Sequence, residues 1–142
     1  MAHRFPISCP QKLVTIDRAQ IRAAAQAVLH GEGVRSAEIS LAFVDNPTIH
    51  RINRQFLDHD EPTDVISFPL GDNPLSGELV IGVEVARAEA TARGHDVQAE
   101  LTLYVIHGLL HLCGYDDHRA ADRQAMRRRE RHYLGLLGLR LK

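Results

Sequence analysis

His107-Gly108-Leu109-Leu110-His111-Leu112-Cys113-Gly114-Tyr115-Asp116-Asp117-His118 is the stretch on which the reading of this chain turns. Two histidines stand four residues apart in an apolar run, and a glycine closes that run. On a helix, residues i and i+4 share a face with their Cβ atoms about 5–6 Å apart. Both imidazoles can then meet one metal ion, at about 2.0–2.1 Å for zinc. A chain reversal at Gly114 can bring a third ligand back over the same face. Three protein ligands with one position left open is the arrangement of a catalytic zinc site. Two helix histidines that only cap or pack are the bland alternative, and the His/Asp cluster directly after Gly114 argues against it. In proteases of the HExxH type a glutamate follows the first histidine and activates water. Here that place is taken by Gly108, which counts against peptide hydrolysis.

The chain is 142 residues long, 44% hydrophobic and 25% charged, which fits one ordinary globular domain with its own core. Residues 1–10 are interrupted by Pro6 and Pro10 and contain no apolar run of signal-peptide length. No segment approaches the ~20 apolar residues of a membrane span. Its two cysteines, Cys9 and Cys113, do not make a disulfide framework, and a cytoplasmic, reducing setting is expected. Cys113 reads as a small packed residue and not as a ligand.

Net charge is −1 but unevenly spread. Residues 119–142 hold eight Arg or Lys and two acids, leaving the rest of the chain net acidic. A cationic end after a metal motif suits a polyanion, because phosphate neutralisation supplies most sequence-independent affinity. A solvated helix face that aids solubility is the competing reading.

Periodicity supplies the frame. Lys12 to Ile16 reads as a short strand. Asp17 reads as an N-cap with Gln20 as its capping-box partner, opening a helix to about His30 with Gly31 as its stop. Ala37 to Val44 alternates as a strand. Asp45 caps a second helix with Ile49, Ile52 and Phe56 on one stripe. Val65–Pro69 and Glu78–Gly82 read as a hairpin around a turn at 71–77. Helices follow at Glu84–Arg93, Val97–Leu112 and Ala120–Leu137, the last with Met126, Glu130, Tyr133 and Leu137 on one side. The expected fold is a single α/β (α+β) domain over residues 1–142. It has a mixed sheet of about four strands, about five helices and a zincin-like metal helix.

Three blocks, in order, resemble the YbeY family of bacterial endoribonucleases, or rRNA maturation factors. The first is Asn53 and Phe56 with Asp60-Glu61-Pro62-Thr63-Asp64-Val65-Ile66-Ser67-Phe68-Pro69. The second is Gly77-Glu78-Leu79-Val80-Ile81. The third is Glu100 with the quoted histidine stretch, and Met126 and Glu130 fit the family's last helix. The resemblance implies one α/β domain and one zinc ion with three protein ligands. It also implies cleavage of single-stranded RNA, in 3′-end maturation of small-subunit rRNA and in ribosome quality control. The chain departs from the family pattern twice. The third histidine of GYDH is replaced by Asp117, with His118 beside it, so the metal set is His107, His111 and either Asp117 or His118. Carboxylates also ligate zinc, at about 2.0–2.2 Å. The arginine usual after the aromatic is Leu57, so a phosphate-holding cation would have to come from Arg51, Arg54 or the C-terminal arginines.

Hydrolysis of a phosphodiester also needs a proton shuttle. Candidates are Asp64, Glu100 and whichever of Asp116, Asp117 and His118 does not bind metal. Asp116 can instead orient His107 or His111. Thr63 and Ser67 can donate to phosphate, or serve turn and strand hydrogen bonds. His59 can line the cleft, and His50 and His95 read as surface residues. A non-catalytic ribosome-assembly factor with a structural zinc is the alternative function, and a metalloprotease the third.

Overall fold

The computed structural model describes residues 2–141. The chain opens with two short strands, β1 (Ala2–Arg4) and β2 (Ile7–Ser8). Pro6 lies between them; it has no N–H to give, and its carbonyl accepts from Leu41 N at 2.9 Å. The strand expected at Lys12–Ile16 does not form. There the Gln11 side chain accepts from Leu13 N and Val14 N at 2.8 and 3.0 Å, a local closure that takes the place of a ladder. Val14 and Ile16 pack on the core without pairing.

Helix α1 (Arg18–Gly31) follows, with Asp17 accepting from Gln20 N as N-cap. The Gln20 side chain does not return to the cap; it donates to Thr102 Oγ1 at 3.0 Å. Gly31 is not the stop. The cap is Glu32, and the chain reverses at Gly33, where φ is +73°. Gly31 serves close packing instead: a Cβ there would lie 2.3 Å from the Tyr133 hydroxyl.

Strand β3 (Ser36–Val44) leads into α2 (Asn46–Leu57), capped by Asp45 through Thr48 N. The hairpin is longer than periodicity suggests. Strand β4 (Val65–Asp72) pairs antiparallel with β5 (Leu75–Gly82), so only Asn73 and Pro74 separate them. Helices α3 (Val83–Arg93), α4 (Val97–Leu112) and α5 (Ala120–Leu136) complete the chain. Gly94, at φ +72°, ends α3 in the left-handed region, and Asp96 caps α4 through Gln98 N.

The sheet is mixed, in the order β1-β3-β5-β4, with β2 also on β3. Five strands stand where about four are expected. Alternation along β3 sends Ile39, Leu41 and Phe43 into the main core with α1, α3, α4 and α5. Val44 lies instead in a smaller cluster with Ile49 of α2, Ile66 and Val80. Ten of the sixteen residues of α4 are buried, so this helix is apolar nearly all round and is held from several sides. Truncating one of its fully buried leucines, such as Leu109, would cost about 2–5 kcal/mol. Gly108 lets α4 sit on the sheet, because a Cβ there would come within 2.9 Å of Leu79 and 3.2 Å of Val65. The Ser67 hydroxyl of β4 donates to the Gly108 carbonyl at 3.2 Å. No described helix is long and apolar enough to cross a membrane.

Candidate metal centre

One face of α4 and the loop after it converge on a single point. His107 Nε2 and His111 Nε2 are 3.1 Å apart, and Asp117 Oδ2 lies 3.5 Å from His111 Nε2 and 4.0 Å from His107 Nε2. The i, i+4 spacing supplies the first pair. Gly114 supplies the reversal: its φ is +103°, a conformation that favours glycine.

The far side of each ring is engaged. His107 Nδ1 is 2.7 Å from Glu130 Oε2 on α5, and His111 Nδ1 is 3.1 Å from the Tyr115 carbonyl. Both partners are acceptors, so each Nδ1 carries the proton and each Nε2 presents a lone pair. Two imidazole lone pairs and a carboxylate then face one another with no donor among them. Such a donor set calls for a cation, and its composition fits a metal with an open coordination position. The electrostatics agree. Burial works against a charged His107, but the hydrogen bond and charge of Glu130, with the charges of Asp64 and Asp117, outweigh it and raise its pKa above the ordinary value.

His107 opens onto a cleft of about 480 Å³ whose walls include Thr63, Asp64, Glu89, Arg93, Glu100 and Tyr104. Four carboxylates, those of Asp64, Glu89, Glu100 and Glu130, face it with one guanidinium. Asp64 is anchored through Oδ1, which accepts from Val65 N at 2.7 Å and from the Thr63 hydroxyl at 3.2 Å. Glu100 is only 2% exposed and bonds to His95 Nε2. It is therefore not a surface acid, and His95, with a side chain 9% exposed, is not a surface residue. Periodicity hid this pair because His95 precedes the α4 cap and reaches back over the first turn. Burial, with the charges of Glu100 and Asp64, pushes the Tyr104 phenol well above its ordinary range, so it stays protonated.

The remaining sequence candidates fall elsewhere. Asp116 does not orient either metal-type histidine; its Oδ1 accepts from Asp117 N and His118 N at 2.7 and 3.2 Å and so folds the loop. His118 is exposed and turns to Asp116, at 3.3 Å, while Asp117 joins the two helix histidines. His50 pairs with Asp60 at 2.8 Å, and exposed His59 stands 4.0 Å from Glu61. Arg51 and Arg54 line a separate depression on α2 with Pro47 and His50. Arg93 is the cation that lines the cleft, and its only mark in the sequence is a place just before Gly94. Burial, with the charge of Glu32, pushes the Cys113 thiol up to about 11, and Cys113 is not among the residues that converge with the two histidines.

Comparison with known proteins places the chain in a family. The family model described as endoribonuclease YbeY matches residues 6–138. The chain belongs to the endoribonuclease YbeY family. Among its relatives, the endoribonuclease YbeY of Pelotomaculum thermopropionicum is 40% identical, over 94% of this chain and 96% of its own. That of Chlorobium luteolum is 41% identical, over 84% and 88%. The solution structure of TM1509 from Thermotoga maritima superposes with a TM-score of 0.68 at 23% identity, covering 94% of this chain and 89% of that one, and so shares the fold. As a member of the endoribonuclease YbeY family the chain is a hydrolase with a candidate metal triad of His107, His111 and Asp117. The peptidase reading loses further ground, because position 108 faces Leu79 and Val65 of the sheet, where a glutamate could not reach the cleft.

Proposed function

We propose that this chain is a zinc-dependent endoribonuclease that cuts single-stranded RNA, with the 3′ end of small-subunit rRNA, on the small ribosomal subunit, as its substrate. The observation that carries this reading is the meeting of three acceptors, His107 Nε2, His111 Nε2 and Asp117 Oδ2, beside a cleft of carboxylates that His107 also lines. Without a bound cation such a cleft would repel a phosphodiester. A zinc ion held there supplies Lewis acidity toward a phosphoryl oxygen and lowers the pKa of a coordinated water to about 7.

His107, His111 and Asp117 would hold the ion, and Glu130 and the Tyr115 carbonyl keep the Nε2 atoms of both rings turned toward that point. Asp64 stands in the cleft beside His107 with one carboxylate oxygen fixed by backbone; it takes the proton of the attacking water. Glu100, buried against His95, stiffens the opposite wall and is the second carboxylate within the cleft for that proton. Arg93, held at the cleft wall by Glu89 at 3.2 Å, is the cation that meets the phosphate, in place of the one that Leu57 cannot supply. Asp116 and His118 shape the loop that carries Asp117.

The test is cleavage of labelled single-stranded RNA, duplex RNA and single-stranded DNA by the zinc-loaded chain, with His111→Ala as control. Cutting of single-stranded RNA alone, lost in the control, is expected. Depletion in cells should lengthen the 3′ end of small-subunit rRNA. A non-catalytic assembly factor with structural zinc is the second reading, favoured by Leu57, which lies outside the cleft and is 46% exposed. It would be adopted if zinc-loaded protein cuts no RNA yet its loss still perturbs the small subunit.

A further inference from the structure

The C-terminal segment forms a second groove, of about 640 Å³, and Leu103 and Glu130 belong to the walls of both the groove and the metal cleft. The two therefore adjoin, and one of the shared residues, Glu130, orients His107. The groove combines two chemistries. Its apolar part is built by Leu103, Leu134, Leu139 and Leu141, and its rim by Arg127, Arg131 and Arg140.

The structure sorts the basic tail into spent and free charges. Arg119 pairs with Asp122 at 2.9 Å. Arg123 donates to the His118 carbonyl at 3.0 Å. Arg129 is bound to Glu32 at 2.6 Å and to the Tyr133 hydroxyl at 2.8 Å. By contrast, Arg127, Arg131 and Arg140 are exposed and, among the described residues, lie in no ion pair, although Arg131 Nε donates a long bond to the Arg127 carbonyl at 3.4 Å. Arg128 is equally exposed but does not line the groove. Glu130, the acid of the groove, is committed to His107. Arg127 and Arg131 stand at i and i+4 on α5, about 5–6 Å apart at Cβ, and present adjacent forks of the kind that grips phosphate.

We propose that this groove is the path by which a single-stranded RNA leaves the metal cleft, its phosphates on Arg127, Arg131 and Arg140 and its bases against the leucines. The proposal rests on the endoribonuclease reading above. An RNA strand is the occupant because the cations rim a groove that adjoins the cleft beside His107 and shares Glu130 with it. A strand crossing that centre meets this continuation with matching charge, while the leucines remove base faces from water.

The experiment uses the full zinc-loaded chain and an uncleavable 2′-O-methylated single strand, bound over a range of salt concentrations. Arg127→Gln with Arg131→Gln should weaken binding about tenfold and lower the log–log salt slope by about 1.4, at about 0.7 per phosphate lost, without loss of zinc. Arg128→Gln, which removes one charge outside the groove where the double variant removes two within it, should leave affinity and slope as in the wild type. An equal loss per charge removed in Arg128→Gln and the double variant would overturn the proposal, because the tail would then act only as a diffuse field. Unchanged RNA binding in the double variant would overturn it too; lost association with small subunits in that case would assign the groove to a protein. If the wild type cuts no RNA, the endoribonuclease reading fails by itself, and the binding comparison still decides on the groove.

Discussion

Glu130 of α5 and His107 of α4 meet at 2.7 Å through a side-chain oxygen and the ring Nδ1. The last helix of the chain thereby decides which nitrogen of the first metal-type histidine faces His111 and Asp117. The Glu130 side chain is 13% exposed, so the contact is screened little by solvent.

Glu130→Gln should lower zinc affinity by about 10–100-fold, as loss of a partner behind a ligating histidine generally does. Competition with a chromogenic chelator measures it. Affinity equal to the wild type's would leave the Glu130 contact without a part in metal binding.

His111→Ala should abolish zinc binding, while Cys113→Ser should keep one equivalent per chain. The thiol is half-buried and held protonated, whereas His111 Nε2 points at the triad. Metal analysis after mild dialysis distinguishes them, and parallel loss in both would make Cys113 a ligand.

Arg93→Ala should reduce the rate of RNA cleavage by about a hundredfold, the scale of removing one well-placed donor to developing charge. Arg93→Lys should recover part of it, keeping the charge without the planar fork. Arg54→Ala, in a different depression, should leave the rate unchanged. Single-turnover rates at saturating zinc are the measurement.

Acid should weaken the α1–α5 contact. Burial opposes a charged Glu32, but hydrogen bonds from Tyr133, Arg129 and Tyr115 prevail and hold its pKa below 4.5. A depressed folded pKa gives stability that is present above the unfolded value and is lost as pH falls through the folded one. Urea midpoints of the wild type should therefore fall below pH 4.5 more steeply than those of Glu32→Gln. Parallel curves would refute the linkage.

Gly31→Ala should destabilise the fold despite a helix-propensity gain of about 0.5–1 kcal/mol. The new Cβ would meet the Tyr133 ring at 2.6 Å and its hydroxyl at 2.3 Å, and overpacking of this kind costs about 1–3 kcal/mol. A lower urea midpoint is expected, and relief by Tyr133→Phe should be partial, since the ring carbon remains.

Sequence by itself determined whatever depends on neighbours along the chain. The bounds of α4 follow from its apolar run between Asp96 and Gly114, and the caps Asp17 and Asp45 act on the N–H groups three residues on. His107 and His111 share a face because a helix has 3.6 residues per turn, and the alternation of β3 set its core face. Tertiary structure alone decided the rest. Residues 2–4 and 7–8 pair with β3 and Lys12–Ile16 does not, a choice made by which backbone finds a free sheet edge. Gly31 reads locally as a helix stop, yet its need for glycine comes from Tyr133, far along the chain. Asp117, and not His118, reaches the triad because Asp116 gathers the loop's N–H groups. Glu130, Arg93 and the buried His95–Glu100 pair carry no local signature, because their partners and cleft walls are set by how helices pack on the sheet. Short-range periodicity cannot encode such distances; close packing of the helices against one another and the sheet does.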